Sequence, residues 1–203
     1  MAGLQQRSRT RRQRLLDAAL AVFTERGYSE TAVDDVARAS ETSKGGLYFH
    51  FPSKQALFLA LLDESSNALL ERVEAAMAHE ADPLERGEAA LHEALRAFGE
   101  HRLLARLLLV EALGAGKEFN DRLNDLQASF AALIAGCLDE AVAHGQIAPL
   151  DTQLAAHAWY GAVNQVVLRW LMTGEPERLV DASPALRNLL LYGIRRRVSG
   201  DEQ

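Results

Sequence analysis

A chain of 203 residues, 48% hydrophobic and 25% charged, has the composition of a soluble globular protein: one medium domain, or a small domain joined to a larger one. Five prolines among abundant Ala and Leu favour helix, and the single cysteine, Cys137, excludes an internal disulfide framework. The net charge of −6 argues against a general nucleic-acid binder, but residues 1–60 hold nine Lys/Arg against six acids while the remainder holds thirteen against twenty-two. A basic head on an acidic body is the footprint of a DNA-binding module joined to a part that does not touch DNA. No secretory leader is legible, and runs such as Leu107–Val110 and Ala131–Ala135 are too short to cross a bilayer, so a cytoplasmic protein without membrane association is expected.

In chain order, Leu15, Leu16, Ala19, Val22 and Phe23 form the buried stripe of a helix from Arg12 to Arg26, stopped by Gly27. Thr31 followed by Asp34 resembles a capping box and opens a short helix burying Val33, Val36 and Ala37. Ser40-Glu41-Thr42 turns, Ser43 caps a third helix to about Phe51, and Pro52 breaks it. Ser53 caps a long fourth helix through Leu69 to Met77. Asp82-Pro83 opens a fifth, and a further helix spans about His101 to Leu113, ending at Gly114-Ala115-Gly116. A long amphipathic helix carries Phe119 to Leu138, Asp151 caps another ending at Gly174, and Ser183-Pro184 opens a last one through Ile194. No strand-like alternation or internal repeat is present. The fold class is all-α.

Two short helices joined by a tight turn and packed on a longer one give a helix-turn-helix layout over residues 32–51, inside a three-helix DNA-binding domain at 9–69. Residues 1–8 are expected as a flexible basic arm, and 70–203 as a helical body. Ser43 and the amides beside it can donate to phosphate. Gly45 and Gly46 remove side chains where the backbone would approach DNA, at a cost of about 1 kcal/mol each in a helix. Leu47 and Phe51 pin the third helix to the core. Tyr48 and His50 point away from that stripe, either to grip phosphate or as partly buried core residues, and Lys54 is placed for a phosphate. The arginines from Arg7 to Arg14 leave two roles open, a solvated tail or an arm reaching an A·T-rich minor groove.

The spaced pieces Leu16–Phe23 before Gly27-Tyr28, Thr31-Ala32-Val33-Asp34-Asp35-Val36-Ala37, Ser43-Lys44-Gly45-Gly46-Leu47-Tyr48-Phe49-His50-Phe51 and Lys54-x-x-Leu57 resemble the N-terminal domain of the TetR family of bacterial transcriptional regulators. The resemblance implies that Thr42, Ser43, Lys44 and Gly45 face base edges or phosphates, and that Tyr48, His50 and Lys54 hold phosphates. With Thr31 and Gly46, these residues make up the expected DNA-binding set. Ser40-Glu41-Thr42 departs from the family's small-Gly-apolar turn, placing an acid without glycine's freedom beside DNA.

The resemblance also implies a ligand pocket in the body and a dimer interface from the last two helices. From the residues themselves, His157–Trp170 is apolar nearly all round, and with Leu186–Arg197 it suits a four-helix interface. One short helix reads only a few base pairs, so a homodimer on a palindromic double-stranded operator follows, its reading helices about 34 Å apart. The expected pocket set is Leu103, Arg106, Leu107, Val110, Phe119, Leu123, Leu126, Phe130, Trp159, Val163, Asn164 and Val167. The stretches Leu108–Leu113, Glu118-Phe119 and Gly161–Leu171 are similar to family members that sense fatty acyl-CoA. A small hydrophobic effector, acyl-CoA or drug-like, would shift the population away from the DNA-bound shape and release a repressor. No cofactor or metal is expected, since the six histidines lack metal-ligand spacing. No enzyme is expected either: no Gly-rich phosphate loop occurs, and Cys137 lies on an apolar stripe as a structural thiol. The competing class is a helical adaptor that does not bind DNA.

Overall fold

The computed structural model describes residues 2–112 and 115–193, with side chains throughout except at 2–9 and 192. The expected helix end at Leu113-Gly114, the side chains of Arg7 and Arg9, and the helix beyond Gly193 lie outside the described residues. Among the described residues every regular element is helical, as expected. The chain divides into two compact units, Met1–Glu74 with Glu100–Phe130, and Ala75–Gly99 with Ala131–Gln203. The expected division at 69/70 did not anticipate that 100–130 would group with the N-terminal part.

In the first unit, α1 is Ala2–Arg26, so its backbone starts ten residues before the expected Arg12 and takes in most of the expected arm. Gln and Arg are good helix formers, and no proline interrupts the stretch. Leu15, Leu16, Ala19 and Phe23 are all at most 1% exposed, the stripe that the spacing predicts. Gly27 ends the helix with φ +84° and its N–H donating to the Phe23 carbonyl at 2.8 Å. Then come α2 (Val33–Ala39), α3 (Lys44–His50) and α4 (Lys54–Met77), the last capped by Ser53, whose Oγ accepts from Ala56 N at 3.0 Å. The remaining pieces of this unit belong to the end of α5 (Pro83–Glu100), to α6 (Arg102–Arg106) with its π-helical continuation Leu107–Glu111, and to the start of α7 (Lys117–Ala143).

The single helix expected from His101 to Leu113 is thus two kinds of helix. Its Leu107, Leu108 and Leu109 are buried together at three consecutive positions, which one α-helical stripe does not do. An aromatic cluster anchors the unit. The Phe58 ring lies 4.8 Å from Phe23, 4.8 Å from Tyr28 and 5.0 Å from Phe119, with Tyr28 to Phe119 at 4.9 Å.

In the second unit, Asp82 caps α5 by accepting from the amides of Leu84 (2.8 Å) and Glu85 (3.1 Å). Those bonds, that to Glu85 first and then the Gln146 amide, hold its carboxyl below the usual range. Asp151 caps α8 (Thr152–Thr173) through Leu154 N at 2.9 Å, and Gly174 closes it in the left-handed region at φ +75°. A 3-10 turn at Leu179–Ala182 leads into α9 (Ser183–Tyr192). Ala131 and Ala135 of α7 meet Ala156 of α8, small residues that let two helices approach closely. Among the described helices α7 is long and apolar enough to cross a membrane, although its individual apolar runs are short. Its buried Ala131, Ala135, Cys137, Leu138 and Ala141 place part of that apolar content in core packing. Burial also pushes the Cys137 thiol up, keeping it protonated and unreactive.

Candidate nucleic-acid interface

The turn between α2 and α3 is a Schellman closure. Thr42 N–H donates to Ala37 O at 2.9 Å and Glu41 N–H to Arg38 O at 3.2 Å, satisfying carbonyls that the end of α2 leaves open. This geometry puts Glu41 in the left-handed region with φ +54°, at the position where glycine is usual. The departure noted in the sequence is therefore accommodated at a cost of about 1 kcal/mol rather than by a different turn. Ser40 is 7% exposed and its hydroxyl donates to Ala37 O at 3.0 Å, fixing the turn from inside.

Ser43 caps α3 as the sequence predicts, its Oγ accepting from Gly46 N at 3.1 Å. Leu47 (0% exposed) and Phe51 (3%) seat the helix on the core, and the Arg12 guanidinium lies over the Phe51 ring at 5.4 Å. The opposite face carries Lys44, Gly45, Tyr48 and Phe49, all exposed. Lys44 pairs with Asp34 of α2 at 2.9 Å, and that carboxylate holds its ammonium above the usual lysine value. His50 sits half-buried at the side of the helix. Burial first, then the charges of Arg11 and Arg12, depress its pKa, so the imidazole is neutral at pH 7.

The two glycines have different reasons. A Cβ on Gly45 would meet nothing within 4 Å, whereas one on Gly46 would stand 2.8 Å from Thr42 Cγ2. Gly46 thus lets α3 close against its own turn, while Gly45 leaves an open patch on the outer face. Two residues expected to face DNA turn inward instead. Thr31 is 2% exposed and its hydroxyl donates to Gly27 O at 2.7 Å, so it joins the loop before α2. Nor is it the cap of α2. That position falls to Ala32, whose N–H donates to Asp35 Oδ2 at 3.2 Å.

Lys54, expected to hold a phosphate, donates to the carbonyls of Tyr28 (2.9 Å), Thr31 (3.0 Å) and Ser29 (3.2 Å), and lies 4.6 Å over the Tyr28 ring. All three ammonium donors are directed at the α1–α2 loop, so Lys54 braces the head. Phe49, outside the expected DNA-binding set, is the most exposed of the large apolar side chains near the turn at 84%. Its spacing was the available signal: it lies two residues from both Leu47 and Phe51, hence on the far side of a helix that buries both.

The expected pocket residues have unequal settings. In the first unit Leu107 (0% exposed) and Phe119 (3%) are core, the latter inside the aromatic cluster, while Leu123, Leu126 and Phe130 of α7 are half-buried. Leu103 (46%) and Val110 (42%) are exposed, and Arg106 pairs with Glu111 at 3.1 Å. In the second unit Val167 is fully buried, while Trp159, Val163 and Asn164 are half-buried on α8. The polar group of Asn164 already has a partner, the Tyr160 hydroxyl one turn earlier. A cavity of about 290 Å³ in the first unit is lined by Arg26, Gly27, Tyr28, Ser29, Glu30, Val110, Glu111 and Ala115. It shares only Val110 with the expected set and is polar, unlike the apolar tunnel that the sequence suggests.

A core-seated short helix, a Schellman turn before it and an open outer face with one lysine and two aromatics define a helix-turn-helix reading head. Residues 15–61 match the family described as bacterial regulatory proteins, tetR family, and residues 62–193 match the YsiA-like protein, C-terminal region. The chain is similar to the fatty acid metabolism regulator protein of Bacillus subtilis, 27% identical over 189 residues covering 92% of this chain and 96% of that one. It is also similar to the HTH-type transcriptional regulator TtgR of Pseudomonas putida, 31% identical over 202 residues covering 87% and 94%. The crystal structure of the transcriptional regulator FadR from Bacillus subtilis in complex with stearoyl-CoA shares the fold, with a TM-score of 0.84 at 24% identity over 90% of this chain and 99% of that one. The chain belongs to the TetR family and is a DNA-binding transcriptional regulator.

Proposed function

We propose that the protein is a homodimeric repressor, acting in the bacterial cytoplasm, that holds a palindromic operator through α3 and leaves it when a fatty acyl-CoA binds the helical body. The observation that carries the DNA reading is the outer face of α3, where Lys44, Gly45 and Tyr48 stand exposed on a helix fixed from behind by Leu47 and Phe51. Thr42 and Ser43 flank that face. His50, neutral at pH 7, contributes an N–H rather than a charge, and Lys54 and Thr31 act by holding the loop that positions α2.

The effector class is supported by two likenesses and one kind of side chain. A relative is named a fatty acid metabolism regulator, and a neighbour in fold holds stearoyl-CoA. Half-buried apolar residues on one stretch of α7, Leu123, Leu126 and Phe130, are the kind of surface on which an acyl chain gains from leaving water.

The test is binding of the full chain to a duplex enriched from a random pool, followed by titration with stearoyl-CoA. Affinity that falls steeply with salt and is weakened by stearoyl-CoA is expected. Binding that saturating stearoyl-CoA leaves unchanged removes the effector class while leaving the DNA reading intact. Absence of salt-dependent duplex binding removes both.

A further inference from the structure

Phe49 is 84% exposed in the last turn of α3, touching the His50 ring edge-on at 5.3 Å. A single exposed apolar side chain is ordinary on a protein surface. This one stands at the apex of the face turned away from the core. Leu47 and Phe51 point inward, and Phe49 lies midway between them in sequence, about 200° around the helix from each. Gly45 is four residues earlier on the same ridge, and nothing lies within 4 Å of where its Cβ would be. The ridge is therefore a bare backbone patch followed by a benzyl group, with Lys44 and the half-exposed Tyr48 on one flank.

A benzyl group has no hydrogen-bond donor or acceptor, so it cannot read the polar edges of bases. The major groove offers one apolar group among the four base pairs, the 5-methyl of thymine. We infer that Phe49 is a specificity-determining residue that seats on a thymine methyl in each operator half-site, with Gly45 leaving the clearance that brings the ring to the base edge. This rests on the reading of α3 as the helix that enters the major groove. Its consequence is a requirement for thymine that Lys44, a cation suited to phosphate or guanine, does not impose.

Replacing thymine by uracil removes that methyl and leaves every hydrogen-bonding group of the base pair in place. Duplexes enriched from a random pool by the full chain would be synthesised in thymine and uracil forms and titrated with wild type and Phe49→Ala. Wild type should prefer the thymine form by roughly fourfold per half-site, hence roughly fifteenfold for a palindrome, the value of one buried methyl-sized group at each. Phe49→Ala should bind the two forms alike, and Phe49→Leu, which keeps an apolar tip, should retain part of the preference. Because the ring is exposed, thermal unfolding of both variants should match wild type. Equal wild-type binding to the two forms overturns the inference, as does a preference that survives in Phe49→Ala. In both cases the salt-dependent binding itself would still stand. A chain that binds no duplex overturns the inference together with the DNA reading on which it rests.

Discussion

The α2–α3 head and the apolar faces of α7 and α8 are built from similar stretches of helix, but they hold their polar groups differently. In and beside the head, polar side chains have near, directed partners: Ser40 on Ala37, Ser43 on Gly46, Lys44 on Asp34, and Lys54 of α4 on three carbonyls of one loop. What remains open is one narrow face of α3. Among the side chains expected to meet an effector, Leu123, Leu126 and Phe130 of α7 and Trp159 and Val163 of α8 are apolar and half-buried, and the polar ones, Arg106 of α6 and Asn164 of α8, pair with the nearby Glu111 and Tyr160. The head is a surface whose chemistry is fixed by hydrogen bonds, suited to one orientation on DNA. The body offers apolar area with few fixed directions, suited to a flexible acyl chain.

The contrast can be broken most forcefully at the aromatic cluster. Phe58→Ala, which empties the centre of the Phe23–Tyr28–Phe119 contacts, should cost about 3–5 kcal/mol in urea unfolding. Lys54→Met comes next. Losing a charged donor from three loop carbonyls should cost about 2 kcal/mol, with duplex binding reduced through the loosened loop. If the unfolding midpoint stays put while binding falls, Lys54 belongs on the DNA after all.

The adjacent glycines form a matched pair. Gly46→Ala should lose about 1–3 kcal/mol because its Cβ collides with Thr42, whereas Gly45→Ala should gain roughly 0.5–1 kcal/mol of stability yet weaken operator binding. The same sign of stability change in both would erase the distinction drawn between turn and face.

Smaller effects sharpen the picture. Glu41→Gly relieves the left-handed strain, offset by the extra freedom of the unfolded chain, for a net gain of about 0.5 kcal/mol. It also removes an acid beside the expected phosphates, so duplex affinity should rise and its salt dependence change.

His50 gives a pH signature. Its folded pKa lies below the ordinary 6.5, so the unfolded chain takes up the proton first as pH falls. Its stabilising contribution is present above pH 6.5 and lost below it. Phosphates act oppositely on the bound head, so duplex affinity should rise a little between pH 7.5 and 6. His50→Gln should flatten both trends, and a pH profile identical to wild type would place His50 outside both balances.

The sequence made legible whatever depends on neighbours a few residues apart. The Ser43, Ser53 and Asp151 caps, the Gly27 and Gly174 stops and the Leu47–Phe51 seat are all interactions over three to five positions. It did not show Lys54 reaching back 26 residues to Tyr28, or Phe119 joining rings from α1 and α4. Those partners are set by packing between elements distant in sequence. Thr31 misled for a related reason. A Thr three residues before an acid reads as a cap, but the hydroxyl found a better acceptor one turn back at Gly27. The π-helical turn at Leu107–Glu111 was also hidden, since a run of leucines and a valine suits either register.

The central claim, that the outer face of α3 reads DNA, is tested most directly by the salt dependence of binding to the enriched palindromic duplex, measured for wild type and Lys44→Ala. Wild type should lose affinity steeply as salt rises. Lys44→Ala should bind more weakly, with the slope of log affinity against log salt shallower by about 2, one phosphate contact removed from each protomer. Identical slopes and affinities for the two proteins would contradict the account.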